Sequence, residues 1–97
     1  MQVRLKKTTE KEVRDACIKW AKSKGWLHIR LHFGKGAARG WPDDVFIRDG
    51  RHVWVEFKRP GAKPTKLQEL RHVALYNAGA EVYVVDSLSD FLWAMPY

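Results

Sequence analysis

Only one cysteine, Cys17, occurs among the 97 residues, so no disulfide can form within the chain. No run of about 18 apolar residues and no signal-type apolar segment interrupts the polar pattern, so nothing in it points to a membrane or to export. A reducing cytosol, including that of an infected host cell, is the expected compartment. Neither a His-x-Glu-x-x-His metal motif nor the Gly-x-x-x-x-Gly-Lys-Ser/Thr phosphate loop is present. His28 and His32 share a strand face but stand about 13 Å apart at about 3.3 Å per residue, too far to chelate one zinc ion. Repeats and linkers are absent as well. The chain is also short of acid: 11 Asp and Glu face 18 Lys and Arg, leaving a net charge of +7. On so small a body that excess attracts polyanions, and nucleic acid is the expected partner.

What is present suffices for one folded domain over residues 1–97. Apolar residues make up 45% of the chain and include five Trp, enough to fill a core despite 30% charge. Residues 1–7 form a basic arm without apolar period. From Thr9 the period becomes helical, with Val13, Ala16, Cys17, Trp20 and Ala21 on one stripe and Gly25 as the stop. Thr9 and Glu12 make a Thr-x-x-Glu capping box. Leu27 to Phe33 alternates, with Leu27, Ile29, Leu31 and Phe33 to one side and His28, Arg30 and His32 to the other, the pattern of a half-buried strand. A glycine-rich basic loop, 34–40, precedes a second strand over Asp44–Arg48, an Asp49-Gly50 hairpin turn and a third strand over His52–Lys58. A second helix starts at Thr65-x-x-Gln68, carries an apolar stripe of Leu67, Leu70, Val73 and Ala74, and ends at Gly79. Glu81 to Val85 reads as a central or covered strand. A last short helix, capped by Ser87 with Asp90, carries Leu88, Phe91, Leu92 and Trp93. The order α-β-β-β-α-β-α predicts a mixed sheet flanked by helices, with a right-handed parallel crossover from the third strand to the fourth.

Chemistry concentrates on the hairpin. In Val53 to Lys58 the side chains alternate, so Glu56 and Lys58 share a face with Cα atoms about 6.5 Å apart. Adjacent hairpin strands bring Asp43 beside Glu56. Two carboxylates and an ammonium at that range are the groups needed to hold a divalent cation against a phosphodiester. Strand parity puts Asp44 on the opposite face from Asp43, and parity alone leaves open which of the two meets the metal.

Gly40-Trp41-Pro42-Asp43 followed by Val55-Glu56-Phe57-Lys58-Arg59-Pro60 resembles the PD-(D/E)-x-K nuclease signature. With Gln68 downstream and the Ala78-Gly79-Ala80 to Val82–Val85 ending, the chain is similar over nearly its whole length to the VRR-NUC family, in its stand-alone phage and bacterial form. The resemblance implies a restriction-endonuclease-like α/β fold and a metal-dependent endodeoxyribonuclease. It implies that Asp43, Glu56 and the Phe57 carbonyl bind Mg²⁺ or Mn²⁺, that Lys58 steadies the attacking water, and that Asp43 rather than Asp44 is the ligand. Glu10 matches the helical Glu of the family; at 100° per residue it lies about 50° from the centre of its helix's apolar stripe, against about 110° for Glu12. Gln68 matches the family's motif Gln, although as a plain residue it also serves as the capping partner of Thr65. Arg14 stands where relatives often carry Gln. Family members of this type act as homodimers on Holliday-type four-way junctions, which implies branched or duplex DNA as substrate, with Trp41, Trp93 and Tyr97 available to an interface or to the core.

Arg30, Lys35, Arg39, Arg59, Lys63 and Lys66 fall on loops and strand ends beside the proposed site, where together they could follow a DNA backbone. Two rival readings stay open on sequence alone: a non-catalytic DNA-binding module on the same fold, and a nuclease acting on flaps or linear duplex.

Overall fold

Local signals build most of the elements. The structure, a computed structural model, describes residues 7–31 and 39–95; the basic arm up to residue 6, and His32, Phe33, Lys35 and Tyr97, lie outside that set. Helix α1 spans Glu10–Ser23 and starts at Thr9, whose hydroxyl accepts from the Glu12 backbone while the Glu12 carboxylate reaches back to the cap. Strands β1 (Leu27–Arg30), β2 (Asp44–Arg48) and β3 (Arg51–Phe57) follow, then α2 (Lys66–Asn77), β4 (Glu81–Val85) and α3 (Leu88–Ala94). Asp49 and Gly50 join β2 to β3 with φ of 50° and 77°, the left-handed pair that matches the twist of a two-residue hairpin.

The four strands lie in the order β1-β2-β3-β4. Both β1–β2 and β2–β3 are antiparallel, and β4 runs parallel to β3 after the α2 crossover. One face of the sheet holds Phe46, Val53, Val55, Phe57 and Val85, packed against Val13, Cys17 and Ala21 of α1 and against Phe91 and Met95 beside them. Phe46 and Phe91 meet edge to face with ring centroids 5.1 Å apart, a geometry that adds to the area buried. Among the described residues no helix is long and apolar enough to cross a membrane.

Four expectations need correction. Strand β1 turns the other way: Leu27 is 58% exposed, whereas His28 and Arg30 point to the helix-covered side and bond the buried Asp44. The cause is that α1 packs over β1 on that side, and Asp44 offers the two polar side chains partners there. Helix α2 is rotated away from its expected stripe, so that Leu67, Leu70, Val73 and Ala74 face outward and none of its residues is fully buried. Its half-buried stripe is Gln68, Arg71, His72 and Leu75. Strand β4 is an edge strand with Val84 exposed, not a central one. Ala16 of α1 and Leu88, Leu92 and Trp93 of α3 are likewise exposed, leaving Phe91 as the buried anchor of α3.

Cys17 is fully buried, and burial pushes its thiol up to about 12. Because the thiolate is the reactive form, a thiol reagent at pH 8 should label the native protein negligibly and label it stoichiometrically in denaturant; equal rates in both states would contradict this packing.

Candidate active site

Strand register builds the site. Asp44 pairs with Val55 across the β2–β3 ladder, so one further step of the register sets Asp43 opposite Glu56. The Leu31 amide donates to the Asp43 carbonyl at 2.6 Å, and the Lys58 amide donates to the Val85 carbonyl at 2.9 Å. Both ladders therefore continue past the strand ends, holding the backbone at Asp43 and Lys58. Val53, Val55 and Phe57 are buried on the α1 side, which directs Glu56 and Lys58 to the other face by alternation. Asp43, Glu56 and Lys58 thus come together at one end of the sheet.

Asp44 goes the opposite way. At 1% exposure its two oxygens are taken by His28 Nε2 at 2.7 Å and Arg30 NH1 at 3.0 Å. A buried carboxylate needs such partners, and here they make Asp44 an anchor for β1 rather than an open ligand.

Glu56 is the unusual group. It is only 6% exposed, and burial pushes its carboxyl up to about 7, with Lys58 pulling it back down and Asp43, Glu10 and Asp44 adding to the rise. Three acids and one lysine therefore act on the same carboxylate. Its hydrogen-bond contact is His72 Nε2 of α2, 3.4 Å from Oε1, a long bond. Burial and like charge oppose ionisation here, and positive charge placed between Asp43 and Glu56 would relieve both. Among the described residues no group of three or more His, Cys, Asp or Glu side chains is drawn into ligating position. Two carboxylates with waters and a substrate oxygen are the set that small hard cations accept, so the residues fit an ion of the Mg²⁺ or Mn²⁺ kind better than a nitrogen- and sulfur-seeking one.

Glu10 opens α1 on the surface, with its carboxylate 3.7 Å from Arg14 NH1; its charge reaches Glu56 without an intervening bond. Gln68 takes the capping role, its Oε1 accepting from the Thr65 amide at 2.9 Å, and it lies on the half-buried stripe one turn before His72. Of the basic residues, Arg30 is engaged with Asp44, while Arg39, Arg59, Lys63 and Lys66 are exposed.

Two contributors went unnoticed in the sequence, His72 and the clamp that α2 places on the segment before Asp43. Arg71 Nε donates to the Arg39 carbonyl at 2.9 Å, and its guanidinium lies 4.8 Å from the centre of the Trp41 ring. Gly40, at φ of 87°, rests directly on the helix. The spacing 68, 71, 72, 75 was a visible helical stripe, but polar at every position except Leu75, and that polarity hid it.

No protein-family model matches the sequence. Solved structures share its fold, two of them VRR_NUC domains. One, a "VRR_NUC domain", superposes with a TM-score of 0.78 at 26% identity, covering 93% of this chain and 100% of that one. The other, a "VRR_NUC domain protein", gives 0.68 at 19% identity with 93% of each chain covered and bears on the fold alone. The class is thereby defined: the chain belongs to the VRR-NUC family of nucleases. Among curated proteins it is similar to "Putative nuclease p44" of Acyrthosiphon pisum secondary endosymbiont phage 1, with 40% identity over 70 residues, which are 69% of this chain and 75% of p44.

A Cβ at Gly40 would lie 2.8 Å from Leu67 Cγ, 3.1 Å from Arg71 Cγ and 3.2 Å from the Leu67 carbonyl carbon. Gly40→Ala combines that clash with a left-handed backbone and should cost about 1–3 kcal/mol. Thermal unfolding measures it; an unchanged Tm would mean that α2 does not hold this segment.

Proposed function

We propose that this protein is a divalent-metal-dependent DNA endonuclease that cuts branched substrates, four-way junctions in particular, as a homodimer. The observation that carries the reading is Glu56, a buried carboxylate opposite Asp43 and beside Lys58, whose ionisation is opposed by its surroundings. Asp43, Glu56 and the Phe57 carbonyl would hold the ion. When bound, Mg²⁺ or Mn²⁺ supplies the positive charge that acidifies water and takes up charge on phosphate.

The chain's own groups do the rest. Lys58, fixed by its backbone bond to Val85, brings an ammonium to the face of Glu56, where it orients the attacking water and offsets charge on the phosphate. Glu10 adds negative charge at the rim, as a ligand through water or as a fixed charge. Gln68 lines the same approach from α2. Arg30, Lys35, Arg39, Arg59, Lys63 and Lys66 provide backbone contacts along the substrate, in keeping with the net charge of +7. The outward stripe of α2, with Leu70 66% exposed, and Trp93 at 86% supply apolar surface suited to a second copy, and a two-fold pair would set two sites against two strands. The phage origin of p44 supports a host cytoplasm as the place of action.

Cleavage of linear, flapped and four-way DNA in Mg²⁺ and in Mn²⁺ tests the activity, with the four-way junction expected to be cut fastest. Asp43→Asn, Glu56→Gln and Lys58→Ala should each lose about 10²–10⁴-fold in rate while still binding junctions. Binding without turnover by the wild type in either ion would establish the rival DNA-binding module instead.

Light scattering should give the wild type twice the 11.3 kDa chain mass, and Leu70→Glu should shift it to one. A wild-type monomer at micromolar concentration would remove the dimer from the reading.

A further inference from the structure

Helix α2 has its amphipathy inverted. Its apolar residues Leu67, Leu70, Val73 and Tyr76 are exposed, while the stripe toward the sheet carries three polar residues, Gln68, Arg71 and His72, with Leu75. Turning polar groups inward costs desolvation unless each finds a partner, and two of the three find theirs on the segments that carry the candidate ligands. Arg71 bonds the Arg39 carbonyl and stacks on Trp41, two residues before Asp43. His72 reaches Glu56 itself. The His72 side chain is 14% exposed and the Glu56 side chain 7%, so their contact is largely shielded from water.

We propose that His72 is a positioning residue that holds the Glu56 carboxylate, through Nε2–H to Oε1, in the orientation in which it meets a divalent cation. This rests on the metal-dependent reading above. Once Glu56 is a ligand it is an anion in a nearly dry site, and each of its oxygens needs either the cation or a donor. One oxygen turned to the cation leaves the other facing α2, where His72 supplies the N–H. The present separation of 3.4 Å leaves the bond room to shorten when Glu56 carries full charge. Outer-shell donors of this kind fix ligand orientation, and their loss typically weakens metal affinity or activity by about 10–100-fold. His72 touches neither substrate nor cation and acts through Glu56 alone.

Three variants separate the hydrogen bond from mere packing. His72→Phe keeps a ring and removes the donor, His72→Ala removes both, and His72→Gln places an amide nitrogen near the position of Nε2. Mn²⁺ binding to the DNA-free protein, measured calorimetrically alongside the metal-free Tm, is the readout. The expected result is about tenfold weaker binding for His72→Phe and His72→Ala, recovery to within about threefold for His72→Gln, and little change in metal-free Tm among variants of a helix without a fully buried residue. Wild-type affinity in His72→Phe, or equal weakening in His72→Gln and His72→Phe, would overturn the proposal while leaving the nuclease reading intact. No Mn²⁺ uptake by the wild type would overturn the metal site itself, and this role with it.

Discussion

The structure depends on how the last turn of one strand is divided between two environments. Strand β3 commits Val53, Val55 and Phe57 to the core, and the pleat then has to deliver Glu56 to the other face. That face is not solvent. Helix α2 crosses it on the way to β4, and so the carboxylate is buried by the same connection that makes the sheet parallel at that edge. The left-handed Asp49-Gly50 turn fixes the hairpin register, and the register brings Asp43 level with Glu56. A slip of one residue would exchange the faces, sending Glu56 into the aromatic core and Val55 toward Asp43. Core packing and site assembly are therefore a single constraint, since Phe46, Val53 and Phe57 cannot keep their places unless the acids keep theirs.

Helix α2 acts on that constraint from outside. Propensity and capping explain why residues 66–77 are helical, but they do not explain which side faces in. The apolar stripe could have covered the half-exposed residues of the sheet. The polar stripe won because its partners are strong and specific: a backbone carbonyl and an indole face for Arg71, a buried carboxylate for His72. Gly40 permits the approach by having no Cβ to collide with Leu67. The cost of this choice is an exposed apolar face formed by Leu67, Leu70, Val73 and Tyr76.

Legibility in the sequence followed the range of the interaction. The Thr9–Glu12 and Thr65–Gln68 caps, the Asp49-Gly50 turn and the alternation of β3 involve neighbours within a few positions, and they were readable in place. Alternation in β1 also gave the correct two faces for Leu27, His28, Ile29 and Arg30. It could not say which face a helix covers, because the answer lies in Asp44, 14 residues from Arg30 and 16 from His28. The same limit applied to α2, whose orientation is decided by Arg39, Trp41 and Glu56, and to β4, whose apolar run is compatible with either a central or an edge place. At the candidate site, alternation put Glu56 and Lys58 on one face and Asp43 and Asp44 on opposite faces, but it left open which of the two aspartates joins Glu56; the family resemblance pointed to Asp43. His72 was out of reach, as a lone histidine in a helix gives no sign of the carboxylate it will meet.

The two ends of β3 show why Glu56 is read as a working group and not as a structural acid. At the other end Arg51 forks onto Glu81, with Nε 2.7 Å from Oε2 and NH2 2.6 Å from Oε1, and Tyr83 adds a hydroxyl at 3.2 Å. Those bonds hold the Glu81 carboxyl below its usual range, as expected of an acid whose charge is matched by partners the chain provides. Glu56 is more deeply buried, has Asp43, Asp44 and Glu10 as well as Lys58 acting on it and, among the described residues, no guanidinium bonded to it, and its carboxyl is pushed the opposite way. Arginines are plentiful in this protein, so the shortage at Glu56 is not one of supply. Strand β3 thus gives Glu81 of β4 a bidentate partner through Arg51, whereas its own Glu56 has, among the described residues, one long hydrogen-bond contact, the contrast expected of a functional carboxylate.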